Sequence, residues 1–260
     1  MHTLSLLTDY IEWDLPLLIG LTFSLTMYLF WIKCESILGQ PSKRFFLSMG
    51  LLYVTIGSPF RMIIHLAFFI HMTQMSILFF IIPPILLSGL PEVQIINRFM
   101  KFHFVNLLLF AVMLFFYHLP FMLVFFFLHP TFHQIYFIGL CTLSFSMWWP
   151  IAAKDSRTPF TQNHKRIYIL FSGLLITPAC LIFIINALPW ISENPFLKDY
   201  SANLCNYSQI GPISSFTPIA INERVDQLLA GILMMLLHKV GLMLANHLQK
   251  QEKMKQEKNH

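Results

Sequence analysis

Charge is scarce in this sequence: Asp, Glu, Lys and Arg together make up 11% of its 260 residues. Soluble domains carry about 25%, so a chain this poor in charge and 56% hydrophobic, with 27 Phe, reads as an integral membrane protein. Cysteine is scarce as well. Cys34, Cys141, Cys180 and Cys205 form no CxxC and share no spacing, which excludes a disulfide framework, a thioredoxin-type motif and a Cys-built zinc site. No HExxH, GxSxG or GxxxxGK[ST] pattern occurs, so nothing points to a zinc protease, a serine hydrolase or a nucleotide enzyme. There is no internal repeat of the kind that marks a transporter built from inverted halves. A basic n-region is missing too, with Asp9, Glu12 and Asp14 before the first apolar run, and this argues against a cleavable signal peptide.

What is present is a succession of apolar runs, each about 20 residues long, which leaves no room for a sizeable soluble domain. The whole chain, 1–260, is expected to be a single membrane domain of seven helices. The spans fall at about Pro16–Ile32, Phe45–Phe60, Met62–Leu90, Phe102–His118, Thr131–Ile151, Ile167–Leu188 and Val225–His247. Phe121–Leu128 is too short to span and too apolar for a solvated loop, so it is expected to lie in the interface or form a re-entrant turn. An extracytoplasmic loop at about 189–223 and a solvated basic tail at about 248–260 complete the plan.

The net charge of +5 and pI near 9.0 fit basic cytoplasmic loops better than nucleic-acid binding. With seven spans, Lys33, Lys43, Arg44, Arg98, Lys101, Lys154, Arg157, Lys165, Arg166, Lys250, Lys253, Lys255 and Lys258 share one side; only Arg61, Lys198 and Arg224 face the other. The basic side is the cytoplasmic one. The N-terminus is then outside and the C-terminus cytoplasmic, with Trp148 and Trp149 in the inner aromatic belt.

That topology sorts the histidines by depth. His65, His71, Met72 and Met75 fall in the outer half of the third span. His118 ends the fourth span on that side, His129 and His133 flank the start of the fifth, and Asp226 and Gln227 open the seventh; Asp226 there suits a cap on its own helix. His103, His164 and His247 belong to the inner side. Ionisable groups in a bilayer are costly and default to a functional role. With His65 at 0°, Met72 falls near about −20°, Met75 near about −80° and His71 near about −120° on a helix. His71 with Met75, or His65 with Met72, can therefore share a face. Imidazole with thioether is a soft, low-charge donor set suited to Cu(I). Most other methionines, Met113, Met147, Met234 and Met235 among them, read as packing.

These residues sit in a run of motifs: His71-Met72-Thr73-Gln74-Met75, then Pro83-Pro84-Ile85-Leu86-Leu87-Ser88-Gly89-Leu90-Pro91, His118-Leu119-Pro120, His133-Gln134-Ile135-Tyr136-Phe137, Trp148-Trp149-Pro150, Ile176-Thr177-Pro178-Ala179-Cys180 and Asp226-Gln227-Leu228-Leu229-Ala230-Gly231. In this order they resemble the CtaG-type cytochrome c oxidase assembly factors of Bacillus and relatives. Met75 and Phe137 stand where many members of that family have histidine. The resemblance implies a non-enzymatic factor of the bacterial plasma membrane that binds or delivers copper for the oxidase's CuB centre. It implies as partners the oxidase's copper-containing membrane subunit, other copper chaperones and the lipid bilayer, with no nucleic acid. His71 and Met75 are the leading candidate ligands, and His118, His133, His65 and Met72 the supplementary ones. A copper transporter, a haem-binding membrane protein and a metal-free assembly scaffold are the alternatives.

Overall fold

The computed structural model describes residues 13–34, 42–59, 67–91, 102–153, 162–189 and 222–259. Among them the structure is all helical. The helices are α1 (Leu15–Cys34), α2 (Lys43–Ile56), α3 (Phe68–Ser76), α4 (Ile82–Gly89), α5 (His103–Tyr117), α6 (Pro120–Leu128), α7 (Pro130–Ala152), α8 (Gln162–Asn186) and α9 (Glu223–Asn259), with a π-helical segment, Ile77–Ile81, joining α3 to α4.

Among the described residues five helical stretches are long and apolar enough to cross a membrane, or six if the bent α5–α6 pair is one span. This is fewer than the seven expected from sequence. The shortfall lies in α5, whose 15 residues need α6 to make a span, and in α2, whose 14 residues reach only about 21 Å against a hydrocarbon core of about 30 Å. It stops at Gly57, which has no Cβ for a close-packed reason: one would come within 2.7 Å of the Tyr53 ring and 2.9 Å of Leu17. The long loop at about 189–223 lies almost entirely outside the described residues. The basic tail is helical: α9 continues through Asn259, and Arg44 at the start of α2 holds it by an ion pair to Glu252 at 2.8 Å.

The interior is built around α3, the π segment and α4. α9 packs along α3 and the π segment, α8 lies on α9, α5 lies on α7, and α4 is held between α2 and α7. α1 is peripheral and contributes one buried residue, Tyr28, whose hydroxyl donates to the Gly89 carbonyl at 3.0 Å.

The π segment follows directly from Pro83-Pro84. Proline has no N–H, so the Phe79 carbonyl loses its α-helical donor at Pro83 and its π-helical donor at Pro84 together. The turn widens, with Ile82 N–H donating to Ile77 five residues back. Two donors from α7 replace the lost ones: Ser144 Oγ at 2.6 Å and Trp148 Nε1 at 2.8 Å. Trp148 is consequently fully buried, a core residue instead of the interfacial anchor its place in the sequence implies.

Proline also makes the α5–α6 elbow. Leu119, the residue before Pro120, is extended (φ −77°, ψ 137°), as a residue preceding proline tends to be. α6 leaves α5 at 76°, which gives Phe121–Leu128 the separate short helix its apolar character called for.

Candidate functional site

Four helix ends meet at one end of the bundle: the starts of α3 and α9 and the finishes of α5 and α8. Asp226 joins the first two. Its carboxylate accepts from the backbone N–H of Phe68 (Oδ2, 2.8 Å) and of Phe69 (Oδ1, 2.8 Å). It thus caps α3 and not, as expected, its own helix. A carboxylate suits a helix N-terminus, where unpaired N–H groups and the helix dipole favour negative charge. Gln227, next in sequence, is buried.

The cap fixes the rotation of α3. Phe68, Met72 and Met75 are buried, and His71 falls within the same stripe, since positions 68, 71, 72 and 75 follow the i, i+3, i+4, i+7 spacing of one helix face. Met72 retains 1% of its surface exposed and Met75 7%. His71, Met72 and Met75 therefore line one face of a straight helix. His65 lies outside the described residues.

His118 closes the site from α5. It is 1% exposed, and its ring packs edge-on against Phe183 of α8 at 5.1 Å; Phe183 in turn packs against Phe68 at 5.1 Å. His71 of α3 is near enough to His118 to interact with it electrostatically. His118 Nδ1 lies 2.6 Å from the Leu114 carbonyl, an oxygen that can only accept, so Nδ1 carries the proton. Nε2 then holds a free lone pair, and it has no hydrogen-bond partner although buried. This is the arrangement of a metal-binding imidazole, whose second nitrogen is fixed by a carbonyl.

The other histidines are placed differently. His133 Nε2 is 3.0 Å from the Tyr117 hydroxyl, and its ring stacks on Tyr117 at 5.8 Å, so one of its nitrogens is already engaged. Phe137, one turn further along α7, packs against Phe79 at 5.7 Å and is part of the aromatic interior. His129 is exposed at the α6–α7 junction, its ring against Phe125. His103 is at the opposite end of the bundle against Tyr168. Among the described residues no three His, Cys, Asp or Glu side chains converge as a metal site; any soft-metal site here must use the methionines.

Residues 42–247 match the family model of the cytochrome c oxidase caa3 assembly factor, Caa3_CtaG. The chain belongs to that family. The match spans every helix from α2 to most of α9 and leaves α1 outside it. Every candidate residue, from His65 to Gln227, falls within it. No curated protein and no solved structure matched the chain.

One buried histidine in the family region was not apparent from the sequence motifs, His238 of α9, which is 3% exposed. The signal was there: Gln227, Ala230, Met234, His238 and Ala245 recur at helical spacing.

Proposed function

We propose that this chain is a non-enzymatic assembly factor of the bacterial plasma membrane that holds Cu(I) at His71, His118, Met75 and Met72 and passes it to the copper-containing subunit of cytochrome c oxidase, at the step forming the CuB centre. The observation that carries this reading is the buried, unpartnered Nε2 of His118, locked in the ligating tautomer with His71 within electrostatic reach. Two imidazoles and two thioethers are neutral donors, so a monovalent ion brings one charge into the apolar interior, and soft sulfur selects Cu(I) over hard cations. Transfer requires no bond chemistry in the polypeptide, only exchange of ligands toward an acceptor richer in imidazole. His133, tied to Tyr117, supports the site from α7.

The sided topology belongs to the same reading. The basic residues gather at the end of the bundle away from His118, where Arg44, Lys165 and the end of α9 lie together through the Arg44–Glu252 pair and the Lys165–Gln249 contact. This end is cytoplasmic by the excess of Lys and Arg. The copper site then opens toward the outer face.

Oxidase purified from a deletion strain tests the proposal. It should lack CuB copper, regain it with the native chain and fail to regain it with His118→Leu or with His71→Leu/Met75→Leu. Full copper occupancy in the strain carrying either variant overturns the assignment. A metal-free scaffold is favoured by Phe137 and by the lack of a three-residue His/Cys/Asp/Glu cluster among the described residues. It predicts oxidase subunits that co-purify with the chain whether or not copper is supplied, and no copper in the isolated protein. A Soret band in the purified protein would point to haem instead, and copper uptake into proteoliposomes to a transporter.

A further inference from the structure

Below the outer site, α9 carries a second soft-donor pair. Gln227, Ala230, Met234, His238 and Ala245 are all buried and follow the spacing of one helix face. Met234 retains 2% exposure and His238 3%. The two are i and i+4 neighbours, one turn apart. His238 Nε2 is buried without a hydrogen-bond partner, the same condition as His118 Nε2. A nitrogen left so in an apolar interior is costly, and a leucine of similar size would avoid the cost.

The walls of this place are aromatic. Phe80 of the π segment packs edge-on to the His238 ring at 5.0 Å, and Trp148 lies 6.2 Å away. α9 can come this close because residue 241 is glycine: a Cβ there would be 2.3 Å from the Phe80 carbonyl oxygen and 3.1 Å from the Trp148 ring. The widened π turn, the two prolines that force it and Gly241 thus bring two rings down over one imidazole.

α3 and α9 start together at the Asp226 cap and run side by side, so depth can be counted along both. At 1.5 Å per residue, His71 lies about 5 Å below the cap, Met72 about 6 Å, Met75 about 10 Å, Met234 about 12 Å and His238 about 18 Å. Soft donors thus continue from one helix to the next along the α3–α9 seam. Past His238 the buried positions of α9 are Gly241, Leu242, Ala245 and Leu248, which offer no ligand. The series on α9 ends at His238.

We propose that Met234 Sδ and His238 Nε2 form a second Cu(I) site, deeper than the His71–His118 site and closed off from water by Phe80 and Trp148. The proposal rests on the copper reading above. Neutral nitrogen and thioether donors with no carboxylate among them fit Cu(I) and not zinc or a hard cation. The absence of further donors among the described buried positions of α9 makes it a holding site that returns copper to the outer one, and not a step in a channel.

The test is an anaerobic Cu(I) titration of the full-length protein in lipid nanodiscs, with bicinchoninate as the competing chelator. The native chain is expected to hold two equivalents. His238→Leu and the volume-conserving Met234→Leu should each hold one, and X-ray absorption of the copper left in His71→Leu/His118→Leu should show mixed nitrogen and sulfur ligation. His238→Gln, which keeps a polar group of comparable reach, serves if the leucine variant does not fold. Two equivalents unchanged by these variants, or a single native equivalent that they leave in place, overturns the second site while the outer one stands. No Cu(I) on the native chain overturns both.

Discussion

Trp148 donates its indole N–H to the Phe79 carbonyl at 2.8 Å. Sequence alone explains why that oxygen is available: Pro83 and Pro84 occupy both positions that could have donated to it within its own helix. A motif residue on α7 and a proline pair on the third span are therefore halves of one structural device. Trp148→Phe keeps the ring and loses the donor, with Ser144 left to serve the oxygen. The expected cost is about 1 kcal/mol, and about 3 kcal/mol for the Trp148→Phe/Ser144→Ala pair, which leaves the carbonyl bare. Thermal unfolding in detergent reads both, and equal melting temperatures for the single and double variants would refute the account.

Asp226 holds the start of α3 and through it the rotation of His71, Met72 and Met75. Asp226→Ala should destabilise the protein by about 2 kcal/mol, the upper end for a lost helix cap. It should also weaken Cu(I) binding by about tenfold, as removal of a supporting group does at metal sites. Asp226→Asn, which still accepts one N–H, should fall between the native protein and the alanine variant on both measures.

Replacing His71 and Met75 together by leucine should remove Cu(I) from the outer site while the bundle stays folded, because leucine is compatible with a buried helix face. Circular dichroism checks the fold and copper titration the site. Loss of either residue alone should lower affinity less than the double change.

Tyr117 and His133 give a prediction of the opposite kind. Tyr117→Phe keeps the stacked ring and removes the hydroxyl on His133 Nε2. Copper stoichiometry should be unchanged and affinity should move by less than about tenfold, the lower bound for a residue that orients a ligand directly. A loss as large as that of the His71→Leu/Met75→Leu pair would make His133 a ligand.

The helical extension of α9 depends on Arg44. Glu252→Gln removes the ion pair to it, and the helix beyond about residue 249 should then exchange its amide hydrogens faster while the interior of α9 stays protected. Hydrogen exchange with mass spectrometry distinguishes these segments.

Much of this was legible in the sequence, for reasons that can be named. Apolar runs of span length marked the long helices, and Leu119-Pro120 marked the elbow before α6, because these signals are local. That His71 and His118 lie at one end of the bundle followed from the order of the spans alone. The shortness of α2 was legible too, because Gly57-Ser58-Pro59 breaks the run, and the helix does stop at Gly57, where Tyr53 and Leu17 close in. Asp226 looked like a cap and is one, but for a helix 157 residues away in sequence, a relation no local pattern contains. Trp148 and His238 were missed in the same way. Each is explained by the π segment, and the consequence of Pro83-Pro84 shows only when α7 and α9 are packed against it.

The central claim is that a buried imidazole, His118, with His71 and the α3 methionines, makes this caa3 assembly factor a Cu(I) carrier. Competitive Cu(I) titration of the purified full-length protein beside His118→Leu tests it most directly. The account predicts that the native protein takes Cu(I) from the chelator and that the variant, equally helical, loses the outer equivalent. Identical titration curves for the two proteins would contradict it.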